Sequence, residues 1–470
     1  MNQAIVKKFS VSTFANLIVL LVSFFSTLVF PKVLNIEDYS YWQIYVFYTG
    51  FVTIAGFGWV EGIYLKNGGK RYDSLDRGIY SFQTYGLLLF VTILFALIGS
   101  VSYFLIQDRK LASVILLVCV EGIIFNLRVY PLQLMQATDR IKEFSIAIVI
   151  GRGAFCILSL LMILIGRSDL YLFIVCDLVG CICCSLYSFW TCREKLLGAP
   201  CRLLQGVSES KDNIRIGFSL MAANMVGVAI TGVIKYAIQT HWSVIEFGKV
   251  SLTITCTNLF LKFTAAVGTV LFPMLCNFTS EKLKEIYDSL NLLLEVSIGV
   301  LLVFYYPANL LLSLYLPQYS ESLVYMGYLL PICLFETKVS LLLNTCYKAM
   351  RKERMLMVIN LIILGVSCVL AGLSAFVFSN IDLAIDSILI VLGLRSFILE
   401  NLLCRKYLHL NKKFVGCLSI LIAGVFVLTN GVLGGWLGTV LYAGFALLIA
   451  AVHFSKIKAF LVRSFAKPHL

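Results

Sequence analysis

Charge is what this sequence has least of. Only 38 Lys or Arg and 25 Asp or Glu occur in 470 residues, 13% of the chain, against about 25% in soluble domains. A water-soluble fold of this size must coat itself with charge, so a soluble globular protein is excluded and the outside must face lipid. Histidine is scarce too. His241, His409, His453 and His469 lie near the ends of apolar runs or in the tail and form no constellation. There is no P-loop and no GxSxG, and with no soluble domain there is no room for an ATPase. The net charge of +13 would suggest nucleic acid in a soluble protein. Here the basic residues sit in short segments between apolar runs and read as cytoplasmic anchors, so no nucleic-acid partner is expected.

The chain is rich in apolar residues: 60% belong to the AVILMFWYC set. Most of the 15 cysteines, such as Cys119, Cys156 and Cys368, lie inside apolar runs and read as small, reduced, buried hydrophobes. The Cys181-Ile182-Cys183-Cys184 cluster has no nearby His, so no metal site is expected. A membrane-crossing helix needs roughly 20 mainly apolar residues. The chain offers fourteen such stretches, at about 10–33, 41–64, 79–106, 113–136, 144–166, 170–191, 214–240, 251–275, 290–316, 323–346, 355–379, 385–406, 414–433 and 436–454. The last two form a hairpin about Gly431–Gly435. The runs are too long and continuous for a transmembrane β-barrel, whose strands alternate apolar and polar. The fold class is all-α integral membrane protein. The first run is too long for a signal-peptide core and lacks a small-x-small cleavage site, so it is expected to stay as the first helix.

Basic residues recur in every alternate loop, as in Lys66, Lys70, Arg71 and Arg77 or Lys348, Arg351, Lys352 and Arg354. The opposite face carries only Lys32, Arg109, Lys110, Arg167 and Lys249. By the positive-inside rule both termini are cytoplasmic. The longest hydrophilic stretch, about Cys192–Asn213, divides the chain, and the second half resembles the first. Phe9-Ser10 recurs as Phe218-Ser219, and at the same spacing Ile36-Glu37 recurs as Ile245-Glu246. The expected organisation is a six-helix lobe at 1–192, a cytoplasmic linker at 193–213, a second six-helix lobe at 214–408, and two further helices with a tail at 409–470. An even number of spans per half makes the repeats parallel.

Ionisable side chains at membrane depth are costly and face a polar cavity or a partner. Lys262, Glu336, Lys338 and Arg395 lie nearest their span centres, with Arg128, Arg152, Glu121 and Asp177 slightly farther off. Glu61, Glu295, Lys235 and Glu400 fall near helix ends, within snorkelling reach of the interface. For the central group two readings stand, cavity lining and structural ion pairing. Bases from several spans at one depth suit a large anionic ligand, because Arg and Lys give charge-assisted hydrogen bonds to phosphate oxygens. Asp177, Glu121 and Glu336 are candidates for taking up H⁺ or Na⁺.

Four features carry a resemblance. They are the Lys7-Lys8-Phe9-Ser10 opening, the Phe30-Pro31 end of the first helix before Ile36-Glu37-Asp38-Tyr39-Ser40, the run from Gly56 to Lys66 followed by Gly68-Gly69, and the fourteen-span plan. The chain resembles the multidrug/oligosaccharidyl-lipid/polysaccharide (MOP) exporter superfamily, and within it the Wzx-type flippases of bacterial O-antigen and capsule assembly. The resemblance implies two six-helix lobes in a V, a MATE-like arrangement with a lumen lined largely by helices 1, 2, 7 and 8, and alternating access by rocking of the lobes. It implies a bacterial inner-membrane location and, as substrate, undecaprenyl-diphosphate-linked oligosaccharide, moved to the outer leaflet by H⁺ or Na⁺ antiport. Membrane lipids are expected partners, with a polysaccharide polymerase and a chain-length regulator as further ones. No other cofactor, no catalytic residue and no metal ligand is expected. Lys262, Arg128 and Arg152 are the expected ligands of the diphosphate and sugar head. Lys338, Lys235 and Arg395 are further candidates; Lys235 and Lys262 gain weight from the family plan and Arg395 loses some. The alternatives are a MATE-like drug or metabolite exporter and, less favoured by the short outer loops, a membrane polymerase or glycosyltransferase.

Overall fold

A computed structural model describes residues 3–276, 280–350, 352–408 and 416–466, without the side chains of 3–12, 260, 262–286, 321, 349, 353 and 460–466. Among the described residues there is no strand. The chain separates into two compact units, Met1–Val228 and Ala229–Leu470.

The first unit begins with α1 (Gln3–Val33), α2 (Ile36–Thr49) and α3 (Trp59–Asn67). It continues through α4 (Arg77–Leu105), α5 (Arg109–Ala137), α6 (Ile141–Leu164) and α7 (Leu170–Leu196) into the start of α8 (Leu203–His241). Short polar residues start these helices. Asn35, Asp76, Asp108 and Asp169 each accept a backbone N–H of the following first turn, which satisfies donors that lack an intrahelical partner. Outward faces carry large apolar side chains such as Leu89, Phe104, Leu164 and Leu186. The inside is aromatic at one end: the Phe30 ring lies 4.9 Å from Trp42 and 4.5 Å from Phe173.

The span expected at 41–64 is not one straight helix. α2 and α3 meet at a 66° bend, across a short 3₁₀ turn, Val52–Gly56. Phe57 (φ 47°) and Gly58 (φ 82°) both adopt left-handed backbone there, which ends one helix and re-aims the next. The re-aimed α3 lies backbone to backbone against α8. A Cβ on Gly62 would sit 1.8 Å from the Asn213 carbonyl oxygen, and one on Gly217 would sit 2.0 Å from the Gly58 oxygen. Glycine is needed there because two backbones occupy the space of a side chain. The stretch 193–213, expected as a linker, is shared between the end of α7 and the first turns of α8.

The second unit contains the end of α8, then α9 (Val244–Cys276), α10 (Ser280–Leu301) and α11 (Tyr305–Tyr315). Three short helices come next, α12 (Ser320–Leu323), α13 (Met326–Leu329) and α14 (Ile332–Thr337), then a π-helical segment, Lys338–Leu343, and α15 (Asn344–Ala349). α16 (Glu353–Gly372), α17 (Ile381–Leu402), α18 (Cys417–Phe426) and α19 (Gly435–Ala466) complete it. The stretch Met326–Lys348 is the inner helix of this unit, 83% buried over its apolar window. The hairpin expected near Gly431–Gly435 forms, with Gly434 and Gly435 at positive φ. α19 returns onto α10, where the Tyr442 hydroxyl donates to the Gly299 carbonyl at 2.9 Å.

The fourteen expected spans are not all supported. Ten described helices are long and apolar enough to cross a bilayer, and up to eleven if the bent α2–α3 pair is one span. Of the remainder, α9 lies partly outside the residues whose side chains are described, Cys417–Leu433 is short, and α17 carries Asp382, Asp386, Arg395 and Glu400. The protein is a multi-pass membrane protein.

Candidate functional site

Four helices of the first unit bring polar and charged side chains to one place. α5 supplies Glu121 and Arg128, α6 supplies Arg152, and α7 supplies Asp177 and Cys181, while α2 adds Tyr45. Glu121 and Arg128 are seven residues apart and so share a helix face; the guanidinium Nη2 lies 3.8 Å from Glu121 Oε1. Arg152 Nη1 is 3.6 Å from Asp177 Oδ1. Both separations are longer than a hydrogen bond, so each pair is coulombic and loosely held. The Tyr45 hydroxyl donates to Asp177 Oδ2 at 2.9 Å, and Arg128 Nη1 lies 3.2 Å from Cys181 Sγ.

Two polar atoms in this cluster stand out. Arg128 Nε and Glu121 Oε2 are buried with no hydrogen-bond partner. A buried charged group short of partners costs free energy, and it is ready to accept a ligand that completes its set. Arg152 is 44% exposed while Glu121 is only 5% exposed, so the cluster runs from an accessible guanidinium to a buried carboxylate. Cys181, read from sequence as an inert hydrophobe, is the sulfur beside Arg128. Tyr45 was not legible as a site residue, because nothing distinguishes it among the aromatic residues of α2.

The second unit treats its charges differently. Lys338 Nζ lies 2.5 Å from Glu295 Oε1, 2.6 Å from Glu400 Oε2 and 2.8 Å from Ser419 Oγ. The lysine side chain is 1% exposed and its carboxylates 4% and 3%. Asn291 Nδ2 donates to the other Glu400 oxygen at 3.0 Å. Arg395 donates from Nη1 to Glu336 Oε1 at 3.1 Å and from Nε to Asn360 Oδ1 at 3.0 Å. Glu295 and Glu400, expected to snorkel from helix ends, are instead fully enclosed. α10 begins well before the expected span start, which moves Glu295 into the helix interior.

The expected candidates therefore divide. Arg128 and Arg152 come together with Glu121 and Asp177. Lys338 and Arg395, with Glu336, stand in separate, short, acid-matched contacts that leave Lys338 no accessible face. Lys235 Nζ lies 5.0 Å over the Phe247 ring, a cation–π placement. The side chain of Lys262, on α9, is outside the described residues. Among the described residues no group of three His, Cys, Asp or Glu is arranged to hold a metal ion.

A sequence profile of the polysaccharide biosynthesis protein family matches residues 31–324, more than half the chain. The chain belongs to this polysaccharide biosynthesis family. No curated protein sequence matches it. Among solved structures, this family member is similar to the lipid II flippase MurJ in an inward closed conformation, with 13% identity over 98% of this chain and 99% of that one, at a TM-score of 0.66. An inward-facing multidrug resistance MATE family transporter of the MOP superfamily matches at 12% identity over 85% and 98% of the two chains, TM-score 0.62. A MOP superfamily transporter from Pyrococcus furiosus matches at 12% over 87% and 94%, TM-score 0.50. At these identities the likeness is one of fold, and the fold is that of MOP transporters.

Proposed function

We propose that this polysaccharide biosynthesis protein is a flippase that carries a polyprenyl-diphosphate-linked oligosaccharide from the inner to the outer leaflet of a bacterial plasma membrane, and that Arg128 and Arg152 bind the diphosphate. One observation carries the reading: two guanidiniums from different helices lie in one cluster, each only loosely held by a carboxylate. A diphosphate offers several anionic oxygens, and guanidinium matches them with paired, charge-assisted hydrogen bonds. Arg128 Nε, without a partner, has a donor to give. Breaking contacts of 3.6–3.8 Å costs less than opening the tight Lys338 triad, so the first unit can exchange carboxylate for substrate while the second unit keeps its charges matched. The fold and the family are consistent with this chemistry.

In this scheme the carboxylates hold the guanidiniums in the empty protein and give way to the diphosphate. Asp177 and Glu121 are the acids at hand for the H⁺ or Na⁺ of an antiport cycle, whereas Glu336 is engaged with Arg395. The sugars need a wet path and the polyprenyl tail can stay in lipid. Arg128→Gln and Arg152→Gln are expected to abolish surface polysaccharide in cells that depend on this protein while its membrane abundance stays normal. Full polysaccharide in both variants overturns the assignment, and export of organic cations in place of polysaccharide would favour a MATE-like exporter.

A further inference from the structure

At the Lys/Arg-rich face of the first unit, α3, α4 and α8 line a half-open pocket of about 200 Å³, apart from the arginine cluster. Its wall combines three side-chain amides with four charged side chains. Asn67, Gln83 and Asn213 are 1%, 1% and 3% exposed, and all three line it, as do Ser74 and Tyr80. Their orientations are fixed. Gln83 Oε1 accepts from Trp59 Nε1 at 2.5 Å, from Ser210 Oγ at 3.2 Å and from Asn213 Nδ2 at 3.4 Å, while Gln83 Nε2 donates to the Gly206 carbonyl. Asn67 Oδ1 accepts from the Tyr80 hydroxyl at 2.6 Å and from Lys70 Nζ at 3.3 Å. Against this ordered background Asn213 Oδ1 is buried with no partner.

The charges on the wall balance. Lys66 is ion-paired with Glu209, and the charge of exposed Lys70 is offset on the same wall by Asp76, which also caps α4 through the Ile79 N–H. A phosphodiester or an esterified diphosphate bridge has no proton to give Asn213 Oδ1, and any phosphate would meet Glu209 and Asp76. A cation would meet Lys66 and Lys70. A hydroxyl both donates and accepts, so a neutral polyol is the chemistry that suits unpaired acceptor, ammonium and carboxylate at once. The volume is below the roughly 300–1,000 Å³ of pockets for drug-sized ligands, which limits the occupant to about one ring.

We propose that this cavity is a binding site for a single sugar ring, recognised on the Lys/Arg-rich side of the membrane before translocation; this rests on the flippase reading above. The purified full chain in detergent is titrated with polyprenyl diphosphates carrying one N-acetylglucosamine, N-acetylgalactosamine, glucose or galactose, and with bare polyprenyl diphosphate. At least one sugar-bearing lipid should bind about tenfold tighter than the bare one, a difference of about one good hydrogen-bonded contact set. Asn213→Ala should erase that difference while leaving the bare lipid's affinity within about twofold. Because Asn213 also touches Gln83, Ser74→Leu, at an exposed wall position, serves as a second variant with the same expected loss. Equal affinities of sugar-bearing and bare lipids, or a preference that survives both variants, overturns the proposal. Transport of the same lipids by the wild-type protein is followed in parallel. Transport without sugar-dependent binding sinks this site and leaves the flippase reading standing, whereas absence of both sinks the two together.

Discussion

Lys338 and Arg152 show how differently one kind of residue is used. Lys338 is enclosed by two carboxylates, and removing it leaves Glu295 and Glu400 buried without their cation. Breaking a buried ion pair from one side costs about 3–5 kcal/mol, so Lys338→Met should lower the melting temperature in detergent sharply or prevent accumulation of folded protein. Arg152 is 44% exposed and its carboxylate contact is long; Arg152→Gln should change stability by under about 1 kcal/mol while removing transport. A thermal melt paired with a transport assay separates the two. In the sequence both residues look alike, a base at membrane depth. Depth was legible, but the partner was not, because Glu295 and Glu400 are remote from Lys338 along the chain and only the packing of α10, α17 and the π-helical segment joins them. Asp108, in the loop before α5, caps that helix through the Lys110 and Leu111 backbone N–H groups. Burial pushes its pKa up, but the Tyr41 hydroxyl at 2.5 Å, the Leu111 and Lys110 backbone N–H groups and the Lys110 ammonium outweigh it and hold the carboxyl below its usual value. Its contribution is therefore complete above the unfolded-state pKa of about 3.9 and is lost as pH falls through the lower folded value. Asp108→Asn keeps a cap and should flatten the acid end of a stability-against-pH curve, whereas Asp108→Ala should cost about 1 kcal/mol at neutral pH.

At the scale of elements, the contact between α3 and α8 is the most exacting feature. Gly62→Ala places a methyl group 1.8 Å from the Asn213 carbonyl oxygen, and since backbone cannot rotate away, the helices must separate. Overpacking of this kind costs roughly 1–3 kcal/mol, and it would also disturb the amide-lined cavity next to Asn213. Gly153, on α6, has nothing within 4 Å of the point where an alanine methyl group would sit, so Gly153→Ala should be neutral or raise the melting temperature, given the better helix propensity of alanine. Differential scanning fluorimetry on the two variants checks the contrast. Hydropathy located these elements well: the expected ranges of the first unit fall on α1 through α8. It did not foresee the 66° bend, because the apolar run passes unbroken through Gly56-Phe57-Gly58 and only the left-handed backbone at Phe57 and Gly58 reveals it.

For the whole molecule, membrane character and all-helical class were readable because each rests on composition and periodicity, which survive without knowledge of contacts, whereas the MOP fold was expected only through the resemblance carried by a few short motifs and the span plan. Convergence of the bases was not readable, because it depends on which helices meet. Among the described residues the outcome is an asymmetry between two clusters: the loosely matched, partly accessible charges about Arg128 and Arg152 in Met1–Val228, and the tightly matched, enclosed charges about Lys338 in Ala229–Leu470. That asymmetry is the basis for assigning substrate to the first unit. The most direct test is flipping of a fluorescently labelled polyprenyl-diphosphate oligosaccharide in proteoliposomes, comparing the wild-type protein with the Arg128→Gln/Arg152→Gln double variant and adding bare polyprenyl diphosphate as competitor. The account predicts flipping by the wild type that the competitor inhibits, and none above empty liposomes in the variant despite equal reconstitution. Wild-type rates in the double variant would contradict it.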